Sequence, residues 1–124
     1  MTNKLLSIKA SFFPIRLIAY TQNDVEIEVT IQNNTEDIYW TECDVELPEA
    51  ISLSKDKKLI KGRSRVGIVG PDASVTKRIK IYGRESSYPD LYTIKLTAYG
   101  FDQEGKIQTH SNKSVKLRCE KLDH

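Results

Sequence analysis

Val25-Glu26-Ile27-Glu28-Val29-Thr30-Ile31-Gln32 alternates aliphatic and polar side chains without a break. A period of two places Val25, Ile27, Val29 and Ile31 on one face and Glu26, Glu28, Thr30 and Gln32 on the other, which predicts a half-buried strand. Asn33-Asn34-Thr35-Glu36-Asp37 follows with turn chemistry, since Asn and Asp tolerate left-handed dihedrals and hydrogen-bond their own backbone. The same period recurs on both sides of this stretch. Residues 38–47 set Cys43, Val45 and Leu47 against Glu42, Asp44 and Glu46. Residues 75–82 set Val75, Ile79 and Ile81 against Thr76, Arg78, Lys80 and Tyr82, with Lys77 breaking the inward row and marking a bulge. Residues 91–101 turn Tyr92, Ile94, Leu96 and Ala98 inward. After the turn Asp102-Gln103-Glu104-Gly105, residues 106–119 form a last strand with a break expected around Ser111 to Lys113 and with Val115, Leu117 and Cys119 inward.

Leu6, Ile8, Ala10 and Phe12 alternate up to Pro14, and Ile15, Leu17 and Ala19 continue as a second, kinked piece. Residues 50–54 read as a strand end, residues 55–65 as a polar loop around Leu59 and Ile60, and Val66-Gly67-Ile68-Val69 as a short strand entering the turn Gly70-Pro71-Asp72. No helix longer than a turn is predicted. Seven or eight short strands separated by turns call for an all-β fold, a two-sheet antiparallel sandwich rather than a parallel sheet, which would need crossover helices. Trp40 falls on the acidic face by strict alternation. A bulge near Thr41 would return it to the core, the expected outcome, and without one it lies exposed.

At 124 residues, with 39% hydrophobic and 29% charged side chains and a net charge of +2, the chain fits one domain spanning residues 1–124 with a core of its own. No window approaches the roughly 20 apolar residues needed to span a membrane. Lys9, Pro14 and Arg16 interrupt the apolar start and no small-residue cleavage site follows, so no signal peptide is read and a soluble, cytoplasmic protein is expected. Cys43 and Cys119 make no Cys-x-x-Cys pair and are expected as buried thiols. Asn33-Asn34-Thr35 and Asn112-Lys113-Ser114 match the glycosylation pattern.

Three stretches carry a family resemblance: Val29-Thr30-Ile31-Gln32-Asn33-Asn34-Thr35, the turn Gly70-Pro71-Asp72 leading into Ser74 to Ile81, and Pro89-Asp90-Leu91-Tyr92-Thr93-Ile94. With these the chain resembles the immunoglobulin-like accessory modules of bacteria and archaea, such as the CARDB type (cell adhesion related domain). The resemblance implies an immunoglobulin-like sandwich in which Tyr92 forms a tyrosine corner, its hydroxyl bonded back to nearby backbone.

Charge is sorted by segment. Residues 21–54 carry nine acidic side chains and no Lys or Arg, whereas residues 55–84 carry ten basic ones against Asp56 and Asp72. In the usual sandwich order Glu26 and Glu28 would face Arg78 and Lys80 across paired strands. That leaves Lys55, Lys57, Lys58, Lys61, Arg63 and Arg65 as a basic candidate site, and Glu42, Asp44 and Glu46 as an acidic one. The chain offers two histidines, His110 and His124, and no catalytic motif, so it is expected not to be an enzyme and to need no cofactor or metal. His110 beside Thr109 and Ser111 is the residual catalytic candidate, and Asp102-Gln103-Glu104-Gly105 with Glu36-Asp37 the residual calcium candidate. The expected function is a non-catalytic protein-interaction module that binds another protein, or a second copy of itself, by a sheet edge or a charged face. The alternative is an anionic ligand, nucleic acid or an anionic surface, or a carbohydrate stacked on Tyr39, Trp40, Tyr82, Tyr88 or Tyr99. Nucleic acid is disfavoured because aromatics do not interleave the basic residues, and no small-molecule substrate is indicated.

Overall fold

The computed structural model describes residues 5–122. Two sheets face each other. One runs β1 (Leu6–Phe13), β3 (Asn23–Asn33), β7 (Ser74–Gly83), β5 (Ile51–Ser52), and the other runs β2 (Arg16–Ile18), β9 (Ile107–Glu120), β8 (Asp90–Phe101), β4 (Tyr39–Glu46), β6 (Lys61–Val69). This is an immunoglobulin-like β-sandwich. Its seven strands of eight residues or more are joined by two short ones, β2 and β5. The chain leaves the first sheet after Phe13 and enters the second at Arg16, where β2 lies parallel to β9. Every other pairing is antiparallel.

The core follows from the alternation. Val25, Ile27, Val29 and Ile31 of β3 and Tyr92, Ile94, Leu96 and Ala98 of β8 are buried and pack with Leu6, Leu17, Cys43, Val45, Ile81 and Leu117. Each fully buried aliphatic side chain contributes about 1.5–3 kcal/mol relative to exposure. Tyr92 is buried, and its hydroxyl donates to the Tyr88 carbonyl four residues upstream, which is the tyrosine-corner bond.

Buried polar side chains fix the loops. Asn33 has no exposed surface. Its amide donates to the carbonyls of Asp37 (2.7 Å), Gly70 (3.0 Å) and Val69 (3.2 Å), and its Oδ1 accepts from the Thr35 amide (3.0 Å) and hydroxyl (2.7 Å). This ties the end of β3 to the segment entering β4 and to the end of β6, both in the second sheet.

Several local expectations are corrected. Residues 61–65 are not loop but the first part of the edge strand β6. The irregularity near Thr41 lies in β6, where Val66 is the extra residue between Arg65, opposite Glu42, and Gly67, opposite Thr41. β4 therefore keeps its phase and Trp40 stays outward, 39% exposed, instead of entering the core. Lys77 marks no bulge, since β3 and β7 pair without a shift. It is exposed although its register partner Val29 is buried, and its inward neighbours Val75 and Ile79 are also only half-buried. β9 is continuous through Ser111 to Lys113.

Candidate functional site

The outer face of the five-stranded sheet is built of cross-strand rows. One row reads Lys61–Glu46–Lys95–Ser114, the next Arg63–Asp44–Thr97–Asn112, and the third Arg65–Glu42–Tyr99–His110. The acidic and basic candidate sites are thus neighbours in one sheet. Arg63 Nε and Nη2 donate to the two Asp44 carboxylate oxygens at 2.6 and 3.0 Å, a bidentate pair, while Nη1 lies 3.8 Å from Glu42. The same guanidinium sits 4.6 Å over the Tyr99 ring. The hydrogen bond from Arg63 holds the Asp44 carboxyl below the usual carboxylate range, against the opposing effect of partial burial. Lys61 reaches Glu46 at 3.8 Å. Arg65 is positioned differently, stacking 5.4 Å over the Trp40 ring.

The expected match on the other sheet is also present. Glu26 faces Lys80 and Glu28 faces Arg78, but one cation takes both acids: Arg78 lies 2.9 Å from Glu28 and 3.6 Å from Glu26.

A fourth row on the outer face of the five-stranded sheet is apolar. Ile68, Trp40, Phe101 and Ile107 lie side by side across β6, β4, β8 and β9, with Ile38 adjoining. Ile68 is 63% exposed and Ile38 and Ile107 are 54% exposed. A shallow groove of about 170 Å³ runs between Ile38, Trp40, Ile68 and Phe101. Beyond it a second hollow is lined by the acids Asp37, Asp102 and Glu104. Sequence reasoning missed this row because Ile68 points outward only through the bulge at Val66, which reverses the phase of β6. The Gly67 backbone (φ 142°) supplies the dihedral the bulge needs.

The remaining sequence candidates sit on the loop between β5 and β6. Lys58 is 3.7 Å from Glu49. Buried Ser52 organises this loop, its hydroxyl donating to the Lys57 carbonyl at 2.7 Å and accepting from the amides of Leu59 (3.0 Å) and Ser54 (3.1 Å). Arg84 fastens it from the other side by donating to the carbonyls of Lys57 and Ser54. Lys55 and Lys57 have no ion-pair partner among the described residues, and Lys55 lines a hollow on the opposite sheet.

The residual chemical candidates are accounted for by geometry. Asp102 spends its carboxylate on its own turn, accepting from the amides of Glu104 (2.9 Å) and Lys106 (3.0 Å) and from Gln108 Nε2 (2.6 Å), and these bonds hold its carboxyl below the usual range. Among the described residues no group of three or more His, Cys, Asp and Glu is placed to hold a metal. His110 points outward beside Tyr99, whereas Thr109 and Ser111, one position away on β9, take the opposite face. Cys43 and Cys119 are buried and unbridged, and burial pushes the Cys43 thiol up to about 11. His124 lies outside the described residues. Among them no helix is long and apolar enough to cross a membrane.

No family model matches this chain, and no curated protein matches it. Similar solved structures exist. A protein described as catalysing macrocyclization in alchivemycin A biosynthesis, AvmM, has a TM-score of 0.66 at 10% identity, covering 98% of this chain and 92% of that one. The alkylpurine DNA glycosylase AlkC of Pseudomonas fluorescens, bound to DNA containing an abasic site analogue, has a TM-score of 0.59 at 10% identity, covering 97% of this chain. This chain spans 31% of the glycosylase's length. A non-cellulosomal cohesin from Archaeoglobus fulgidus has a TM-score of 0.48 at 16% identity, covering 93% of this chain and 91% of that one. These likenesses concern the fold. They also correct one expectation: the first two similar structures belong to catalysts, so the expectation that the chain is not an enzyme is withdrawn.

Proposed function

We propose that the chain is a protein-binding module that engages its partner through the outer face of the five-stranded sheet, with Trp40 as the anchor. The observation that carries this reading is the contiguous outward row Ile68, Trp40, Phe101 and Ile107, exposed except for the half-buried Phe101. Scattered exposed apolar residues need no explanation, but a row running across four strands beside a groove is the anatomy of an interaction site, and Trp is a typical anchor residue there. Beyond the row Asp102 and Glu104 are engaged within their own turn, and Asp37, with no ion-pair partner among the described residues, favours a partner segment whose apolar side chain is flanked by Lys or Arg. The charged rows play a smaller part, because Arg63 and Lys61 already pair with Asp44 and Glu46. The accessory-module role implied by the CARDB resemblance fits this reading.

Selection of a displayed random peptide library on the wild-type chain tests it, with Trp40→Ala for counter-selection. Enriched peptides are expected to combine an aromatic or aliphatic residue with Lys or Arg and to lose binding to Trp40→Ala. Peptides that bind both chains equally, or that carry acidic flanks, would overturn it.

A further inference from the structure

The outer face of the four-stranded sheet holds a second, unrelated feature. A hollow of about 300 Å³ lies where β7 meets the loop after β5, lined by Lys55, Lys80, Tyr82, Arg84, Gln22 and Asp24. Its charge follows from the pairing beside it. Because Arg78 engages both Glu26 and Glu28, Lys80 has no ion-pair partner among the described residues, although it faces Glu26 across the strands. Lys55 likewise has none. Arg84 is held by the carbonyls of Lys57 and Ser54, neutral acceptors that leave its charge uncompensated, and the contact carries Lys55 to the rim. Three cations against the carboxylate of Asp24 leave the hollow with an excess of positive charge.

We propose that this hollow binds a phosphate group, free or as the terminal group of a small phosphate ester. The chemistry is that of a multiply charged oxyanion. Two lysines supply mobile point charges and Arg84 a fixed fork of donors, and charge-assisted hydrogen bonds to phosphate are among the stronger ones available. The site is prearranged, since buried Ser52 and Arg84 between them fix the loop that carries Lys55. Tyr82 offers an aromatic wall beside the cations, which suits an ester with a flat substituent.

The test is an NMR titration of the isotope-labelled chain with inorganic phosphate, with phenyl phosphate, and with sodium chloride at matched ionic strength. The amides of Gln22, Lys55, Tyr82 and Arg84 are expected to shift saturably with both phosphates and not with chloride. Tighter binding of phenyl phosphate assigns the site to an ester, and equal binding assigns it to the phosphate group alone. Lys80→Gln, an exposed change, is expected to weaken binding about tenfold, the loss of one charge-assisted contact. Its unchanged spectrum elsewhere would show that the fold is intact. Shifts that chloride reproduces, or that persist undiminished in Lys80→Gln, would overturn the proposal. Trp40→Ala is expected to leave phosphate binding unchanged, so failure here is separable from failure of the protein-binding reading.

Discussion

Asn33 begins a glycosylation sequon, yet its amide nitrogen is fully buried and engaged with three carbonyls. A buried acceptor cannot receive a glycan in the folded protein, and the side chain acts as a structural tie. Truncation would strand three carbonyls in two segments, Asp37 and Val69–Gly70, each unsatisfied group costing about 1–3 kcal/mol before water re-enters. Asn33→Ala is accordingly expected to lower stability by about 2–4 kcal/mol in urea unfolding. Asn112→Ala, whose side chain accepts a single exposed bond from Thr97 at 2.9 Å, should stay within about 0.5 kcal/mol of wild type. Equal effects at the two positions would refute the tie. The sequence could not distinguish the two sequons, because both read as polar turn residues and only the packing of the connection after β3 against the end of β6 decides which one is buried.

At the scale of elements, legibility depended on whether a strand's inward row is apolar. β3 and β8 carry unbroken apolar rows, and their inward and outward faces were readable from alternation, while the partner of β3 followed from the usual sandwich order. β6 was not readable, because its inward residues in the first half are Gly62 and Ser64. Gly62 has Leu53 packed so close that an added Cβ would lie 3.0 Å from it, so a loop covers this edge strand where a side-chain row would otherwise stand. Read without a hydrophobic period, Lys61, Arg63 and Arg65 looked like loop charges, when they are the outward row that pairs with Glu46, Asp44 and Glu42. The Glu26 and Glu28 match was legible for the opposite reason, since both of its strands alternate. The Arg63–Asp44 pair also fixes a pH dependence. Its carboxyl is held below the ordinary 3.8, so the folded state gains stability from the ionised form above that value and loses it as the pH falls through the lower folded value. The stability advantage of wild type over Asp44→Asn should be full at pH 6 and shrink below about pH 4. An advantage that is constant from pH 6 to 2.5 would mean the pair does not contribute.

For the whole molecule, the sorting of charge along the chain becomes a sorting between adjacent strands. Strands of opposite sign lie side by side in each sheet, so six of the nine acidic side chains of residues 21–54 already have a basic partner within the chain and little acidic charge is left to attract a second copy. The mass in sedimentation is therefore expected to be the same in low and high salt; dissociation on adding salt would show that the paired rows still act between molecules. What stays unmatched is local: an apolar row on one sheet and an unpaired basic hollow on the other. Neither was legible, the first because a one-residue bulge reversed a strand's phase, the second because it depends on which of two lysine-or-arginine neighbours an acid selects. The placement of β2 has a mechanical consequence. This early strand lies parallel to the last one, so tension applied through the two flanks of the domain runs along the strand axes. Such a load strains the bonds between β2 and β9 together in shear, where an antiparallel hairpin pulled from its open end would lose its bonds singly, like a zip. A pull along these two strands therefore loads the β2–β9 bonds together rather than one at a time.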